Sequence, residues 1–349
     1  MFNNLALPIV LAIFALAAAV VWRAGDSLAK TTDALDDRLG LGQALGGLIL
    51  LAVATNLPEI AITVSAGLNG QFDIAVGNIL GGIAIQTVVL ALLDAVGVRG
   101  GRPLTARLSS LVPALEAILV IVVLILAVMA TRLPPSLQFI RLTPGGVAIA
   151  VTWVLGLWLI GKARTALPWQ LKTPDDDKAG KTKDDSSKQP EMSTGRAAGG
   201  FLVAALLTLA AGTVLEQAGE AIAHGIGMTG VLFGSTILAA ATALPELSTG
   251  LTAVRAGDYQ LTVSDIFGGN AFLPVLFLVA DLIGGQAILP HAHNSDLYLA
   301  GLGILLTSVY LTGLLFHSAK RPLHMGVDSL VVVILYIAGI IGLVFVPGG

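Results

Sequence analysis

The chain has 349 residues, of which 55% are hydrophobic and only 12% charged, with a mean hydropathy of +0.88. A soluble chain of this composition would precipitate, so the sequence reads as a polytopic membrane protein. Nineteen Lys and Arg against 22 Asp and Glu leave a net charge of −3, too weak and too even for a nucleic-acid partner, and the lack of Cys excludes disulfides, thiolate metal sites and Cys nucleophiles.

Apolar stretches of the ~20 residues that cross a ~30 Å hydrocarbon core fall at about 5–22, 41–67, 74–98, 108–131, 144–163, 198–216, 227–253, 263–286, 298–317 and 328–346. The expected fold class is therefore all-α, with ten transmembrane helices in the lipid bilayer. Only Met1, Phe2, Asn3 and Asn4 precede the first stretch and none is basic, so it is expected to stay in the membrane rather than act as a cleaved signal. Lys and Arg accumulate on the cytoplasmic side. Seventeen of the 19 fall between helices 1 and 2, 3 and 4, 5 and 6, 7 and 8, or 9 and 10; only Arg132 and Arg141 fall on the other side. Both termini are thus expected outside an inner or plasma membrane, with the central loop cytoplasmic. That loop contains KTPDDDKAGKTKDDSSKQPE, whose dense mixed charge cannot bury a core. The domain reading is a five-helix repeat over 1–165, a disordered cytoplasmic linker over 166–196 and a second five-helix repeat over 197–349.

An ungapped match at an offset of 187 residues aligns 40–97 with the segment starting at Gly227, with 20 of 58 positions identical. The identities include Thr55/Thr242, Pro58/Pro245, Glu59/Glu246, Gly81/Gly268, Gly82/Gly269 and Asp94/Asp281. Composition bias between apolar helices cannot align Thr-x-Leu-Pro-Glu twice. Five helices separate the copies, so the second crosses the bilayer in the opposite sense. Inverted repeats with interrupted helices are the mark of secondary transporters whose substrate site lies near the midplane.

Pro58 and Pro245 remove a backbone N–H inside helices 2 and 7 and free the carbonyls of Ala54 and Ala241; taken alone, each fits an ordinary kink relieved by Thr55 or Thr242. Glu59 and Glu246 follow directly, deep in apolar sequence, and every basic residue has been placed in a loop. A carboxylate so placed must be protonated or hold a cation, because hydrocarbon does not host the bare charge; the alternative is a permanently neutral hydrogen-bonding side chain. Carboxylate, hydroxyl and freed carbonyl oxygens suit hard cations such as Na⁺ and Ca²⁺. Asn78, Gly82 and Gln86 share one helix face, as do Asp265, Gly269 and Leu273, so Gln86 can add an oxygen. Asp265 is expected as an N-cap, the paired glycines as helix contacts, and Glu116 as a locally bonded or snorkelling acid. His291 and His293 are expected in an exposed loop without a metal.

These residues resemble the cation/calcium antiporter superfamily of the sodium/calcium exchanger type. The motifs are Ala-Thr-Asn-Leu-Pro-Glu at 54–59, Gly-Asn-Ile-Leu-Gly-Gly-Ile at 77–83, Ala-Thr-Ala-Leu-Pro-Glu at 241–246 and Ser-Asp-Ile-Phe-Gly-Gly-Asn at 264–270. The resemblance covers the whole chain. It implies that Glu59 and Glu246 are the central cation ligands, with Thr55, Thr242 and the carbonyls of Ala52 and Ala239 beside them, and Gln86 where the family has Asn or Asp. Gly82 and Gly269 stand where a ligating Ser is usual, Asn56 and Ala243 replace a second Ser, and Leu273 replaces a carboxylate or amide, so fewer or different cations are implied. No enzyme activity and no resident cofactor are expected, only transported Ca²⁺, Na⁺ or H⁺. The expected function is exchange of Ca²⁺ or a similar hard cation for Na⁺; a proton-coupled exchanger and a non-transporting membrane scaffold are the alternatives.

Overall fold

A computed structural model describes residues 2, 5–39, 52–98, 100–166 and 193–347. The start of the second apolar stretch, Arg99 and most of the proposed linker lie outside the described residues. Among those described there is no strand, only one bridge between Phe139 and Leu142. The helices are α1 (Leu7–Leu39), α2 (Leu57–Asn69), α3 (Phe72–Leu92), α4 (Val112–Ala130), α5 (Pro144–Ala166), α6 (Thr194–Ile226), α7 (Gly230–Thr242), α8 (Leu244–Ala256), α9 (Tyr259–Phe272), α10 (Leu276–Gly284), α11 (Asn294–Phe316) and α12 (Val327–Leu343). Seven described segments are long and apolar enough to cross a membrane, and α7 with α8 forms an eighth, bent by 41°. The apolar helix α12 has 17 residues.

The offset of 187 residues reappears in the helix boundaries. α1 and α6 begin at Leu7 and Thr194 and each run 33 residues; α2 and α8 begin at Leu57 and Leu244 and each run 13; α3 and α9 begin at Phe72 and Tyr259. The hairpin after α2 turns at Gly70 (φ 71°) and that after α8 at Gly257 (φ 87°), a left-handed conformation that glycine adopts without a Cβ clash.

Three expectations change. The first helix does not end near residue 22 but continues to Leu39, because its polar second half packs on a partner helix instead of on lipid. Arg23 and Lys30 therefore sit on α1, and Lys162, Arg196 and Arg255 on α5, α6 and α8, not in loops. The expected helix over 263–286 is interrupted by a 3₁₀ turn at Leu273–Val275, where Pro274 cannot supply an N–H.

α1 and α6 lie antiparallel: Leu7 touches the Gly225 turn, and Thr31 the Gly200 turn. Each also presses a glycine onto a proline of the opposite repeat. A Cβ on Gly25 would lie 2.6 Å from Pro245 Cβ, and one on Gly212, its repeat mate, 3.0 Å from the Pro58 carbonyl and 2.8 Å from Ala61 Cβ. Gly81 is as tight, its Cβ position 2.2 Å from Ser235 Cα, whereas Gly268 has only ordinary contact with Ala52. Asp94 and Asp281 close each repeat as clasps. Asp94 accepts from the Leu104 and Gly326 amides and from Ser329 Oγ at 2.6–2.8 Å, and Asp281 from the Ile288 amide (2.8 Å) and Thr143 Oγ1 (2.6 Å). Both act as caps that pin loops and helix starts.

Gly212→Val is expected to destabilise the protein by about 1–3 kcal/mol, because the backbone of Pro58 cannot yield as a flexible side chain does. Thermal unfolding of the purified variant measures this; an unchanged midpoint would show that α6 has room to move off Pro58.

Candidate cation site

The helix preceding α2 stops at Asn56 (φ −85°, ψ 12°), and α7 stops at Ala243 (φ −77°, ψ 4°). Pro58 and Pro245 occupy the first turn of the following helix, where an N–H is not needed and the ring is tolerated. The prolines thus restart helices rather than kink them. The threonines relieve different carbonyls from those expected: Thr55 Oγ1 donates to Ala52 O (3.3 Å) and Thr242 Oγ1 to Ala239 O (3.2 Å).

Glu59 and Glu246 fall in the first turns of α2 and α8, where the helix end favours negative charge. Both are fully buried. Thr242 and Gln86 lie beside Glu59, Thr55 beside Glu246, and Glu246 also feels the charges of Glu59 and Asp265. None of the four glutamate oxygens has a hydrogen-bond partner of good geometry among the described residues. The reason is chemical. Each threonine hydroxyl has one hydrogen, and beside the carboxylates it also reaches a helix carbonyl, so one hydrogen is shared out among more acceptors than it can serve. The centre is rich in acceptors and poor in donors, an environment complete only when a cation or proton enters it. No Lys or Arg forms an ion pair with either glutamate among the described residues; the ion pairs there join Lys30 to Asp26, Arg321 to Asp94, and His293 to Asp73 and Asp296.

The remaining expected site residues divide. Gln86 is buried, its Nε2 3.5 Å from Asn56 Oδ1 and its Oε1 without a partner. Asn78 Oδ1 meets Thr242 Oγ1 at 3.5 Å. Ala239 O accepts from Thr242 and from the Ala243 amide. Ala52 O differs: it accepts from Thr55 Oγ1, from the Asn56 amide (3.3 Å) and from Asn56 Nδ2 (2.6 Å), so its lone pairs are taken. Leu273 is buried with Cδ1 3.5 Å from where a Cβ on Gly82 would stand.

Asp265 is not an N-cap. Asp258 caps α9, accepting from the Leu261 amide at 2.9 Å, while Asp265 lies two turns inside, buried, and accepts from Thr249 Oγ1 at 3.0 Å. Its repeat mate Asn78, already on the Gln86 face, was the available signal. Glu116 is buried rather than snorkelling. Glu216 escaped notice in the sequence: buried in α6, it accepts from Ser65 Oγ at 2.9 Å and ties α6 to α2. His293 caps α11 in a capping box with Asp296, and the described residues contain no group of three or more His, Asp or Glu placed to hold a metal, so at the centre two glutamates would act with neutral oxygens.

The pattern of the family described as sodium/calcium exchanger protein matches residues 9–161 and 196–345. The chain belongs to that family. The putative antiporter CaxA of Alkalimonas amylolytica is 26% identical to this exchanger-family chain over 253 residues, 72% of this chain and 73% of the relative. The inner membrane protein YrbG of Escherichia coli (strain K12) is 26% identical over 255 residues, with the same shares. Among solved structures, an H⁺/Ca²⁺ exchanger CAX superposes with a TM-score of 0.64 at 13% identity, covering 96% of this chain and 87% of the other. The sodium-calcium exchanger NCX_Mj soaked with Na⁺ and Sr²⁺ superposes with a TM-score of 0.62 at 13% identity, covering 96% and 99%. The fold is shared with both, and the protein is an integral membrane member of an antiporter family.

Proposed function

We propose that the chain exchanges Ca²⁺, or a similar hard cation, for Na⁺ by alternating access at the site between Glu59 and Glu246. Ten spans in two inverted five-helix repeats frame the site, joined by a cytoplasmic linker that ends before 196, where it was expected to end, because α6 already begins at Thr194. The observation that carries the reading is the pair of fully buried glutamates, none of whose four oxygens has a hydrogen-bond partner of good geometry among the described residues, beside threonine hydroxyls that also reach the Ala52 and Ala239 carbonyls. With Thr55, Thr242, Ala239 O and Gln86 Oε1 they provide enough oxygens for the about 6–8 that Ca²⁺ takes. Two glutamates neutralise one divalent ion, two Na⁺ or two protons equally, which is what exchange through one shared site requires. Proton coupling is the second reading, favoured by the same donor-poor carboxylates, since a proton satisfies each of them without a metal.

Purified protein in proteoliposomes, loaded with Na⁺ or held at a pH different from the bath, tests the proposal through Ca²⁺ uptake. Uptake driven by the Na⁺ gradient supports the first reading and uptake driven by pH alone the second. The absence of either flux in well-folded protein identifies a non-transporting scaffold.

Sidedness has a separate test, helped by the absence of native cysteines. Ser295, in the first turn of α11 on the side expected outside, is buried and useless as a reporter, whereas His291 and Lys320 are exposed. His291→Cys is expected to react with an impermeant maleimide from outside and Lys320→Cys only from the cytoplasm. Labelling of both from one face contradicts the inverted arrangement.

A further inference from the structure

The two repeats are not equivalent around the central carboxylates, and the difference centres on Asn56. Its side chain is fully buried, and its orientation is fixed because only the amide nitrogen can face a carbonyl. Nδ2 lies 2.6 Å from Ala52 O, the shortest of the three bonds that oxygen accepts. Oδ1 faces Gln86 Nε2 at 3.5 Å. Two amides therefore stand in series beside Glu59, with their protons directed at the oxygens on the Ala52 flank. The opposing helix makes room for them: a Cβ on Gly269 would lie 2.6 Å from Asn56 Nδ2. Asn56 thus fills the space a side chain from position 269 would occupy.

The other repeat has the same backbone but none of this. Ala243 replaces Asn56 and Leu273 replaces Gln86 at the repeat offset, Ala239 O accepts from the Ala243 amide and from Thr242 and, among the described residues, from no side-chain amide, and a Cβ on Gly82 would meet nothing nearer than Leu273 Cδ1 at 3.5 Å. One flank is filled by the Asn56 amide, whereas the other has Ala243 and Leu273 in the matching positions and keeps its own amide, Asn78, 3.5 Å from Thr242 Oγ1 and away from Ala239 O. A donor N–H pointed at a carbonyl occupies the lone pair that a coordinated cation would use, without adding net charge, and it cannot leave.

We infer that Asn56 is a tethered substitute for a second bound cation, which closes the Ala52 flank and leaves one cation cage, between Glu59 and Glu246. In this reading Asp265, whose Oδ2 accepts from Thr249 Oγ1, takes no transported cation of its own. Exchange is then one divalent ion against two monovalent charges, with no net charge moved. The inference rests on the antiporter reading above and assigns its stoichiometry to a residue.

The test is counter-cation dependence in proteoliposomes of the full chain, with membrane potential clamped by K⁺ and valinomycin. In the natural protein, the Hill coefficient for the driving cation is expected not to exceed 2, and Ca²⁺ flux is expected to be the same at imposed positive and negative potentials. Asn56→Ser with Gly269→Ser removes the tethered donor and adds two hydroxyls to the flank; the Hill coefficient should rise by about one and flux should become voltage-dependent. Asn56→Ala alone, a smaller change that keeps Gly269, should lower the apparent affinity for the driving cation or raise its Hill coefficient, and covers the case in which the double variant does not fold. Voltage-dependent flux with a coefficient of 3 or more in the natural protein overturns the inference while leaving the antiporter reading intact. So does unchanged ion dependence in a folded, transporting variant. Absence of any gradient-driven flux in the natural protein instead overturns the antiporter reading itself.

Discussion

Replacing Glu59 or Glu246 by glutamine is expected to abolish exchange while the protein still inserts and folds. Either change removes a ligand charge from a site whose carboxylates are fully buried and without hydrogen-bond partners among the described residues. Losing one member of a buried charge interaction costs about 3–5 kcal/mol, which at 1.4 kcal/mol per tenfold corresponds to a loss of roughly 100-fold or more in cation affinity. Folding is expected to survive because no Lys or Arg among the described residues pairs with either glutamate, so no cationic partner is orphaned, and a neutral amide of the same shape enters an apolar environment more easily than a charge. Ca²⁺ uptake by each variant, beside its thermal unfolding curve, checks this. Near-normal uptake in either variant returns both glutamates to a structural role.

The centre of this site was legible because the repeat is written in residue types that only backbone breaks and buried charge explain. Thr-x-Leu-Pro-Glu twice at one offset located both helix restarts and both carboxylates, and the offset holds at Gly70 and Gly257, where the hairpins turn. What surrounds the centre was less legible. Hydropathy reports contact with lipid, so it lost α1 after residue 22, where the helix exchanges lipid for the surface of α6. It also could not show that Gly25 and Gly212 cross to the proline of the other repeat, because a close approach between distant segments leaves no periodic trace. Asp265 looks like a cap in the sequence because the apolar stretch starts at about 263, whereas α9 starts earlier, at Tyr259. The donor from Asn56 to Ala52 O was beyond reach for a related reason: a motif shows which residue replaces serine, but only packing against Gly269 fixes where its amide points.

Leu273→Asp is expected to change which cations the exchanger responds to, and by how much. Leu273 is buried, opens the 3₁₀ turn Leu273–Val275 and lies against Gly82. It follows Glu246 by the same 27 residues that separate Gln86 from Glu59. An aspartate there replaces hydrocarbon with a further carboxylate beside two that already lack partners. The new charge can be carried into the apolar interior only with an additional cation or proton. Apparent affinity for Ca²⁺ or for the driving cation should therefore rise by about tenfold, equivalent to 1.4 kcal/mol, or the coupling ratio should increase by one charge and make flux voltage-dependent. Leu273→Asn separates the two outcomes, since it supplies an oxygen without the charge: it should strengthen binding and leave the coupling ratio alone. The readouts are concentration dependence and voltage dependence of Ca²⁺ uptake in variants whose unfolding curves show intact folds. If both variants fold and both reproduce the natural ion dependence, position 273 does not line the cage. The hydrocarbon wall beside Gly82 would then be packing alone, and the difference between the two repeats would rest on Asn56.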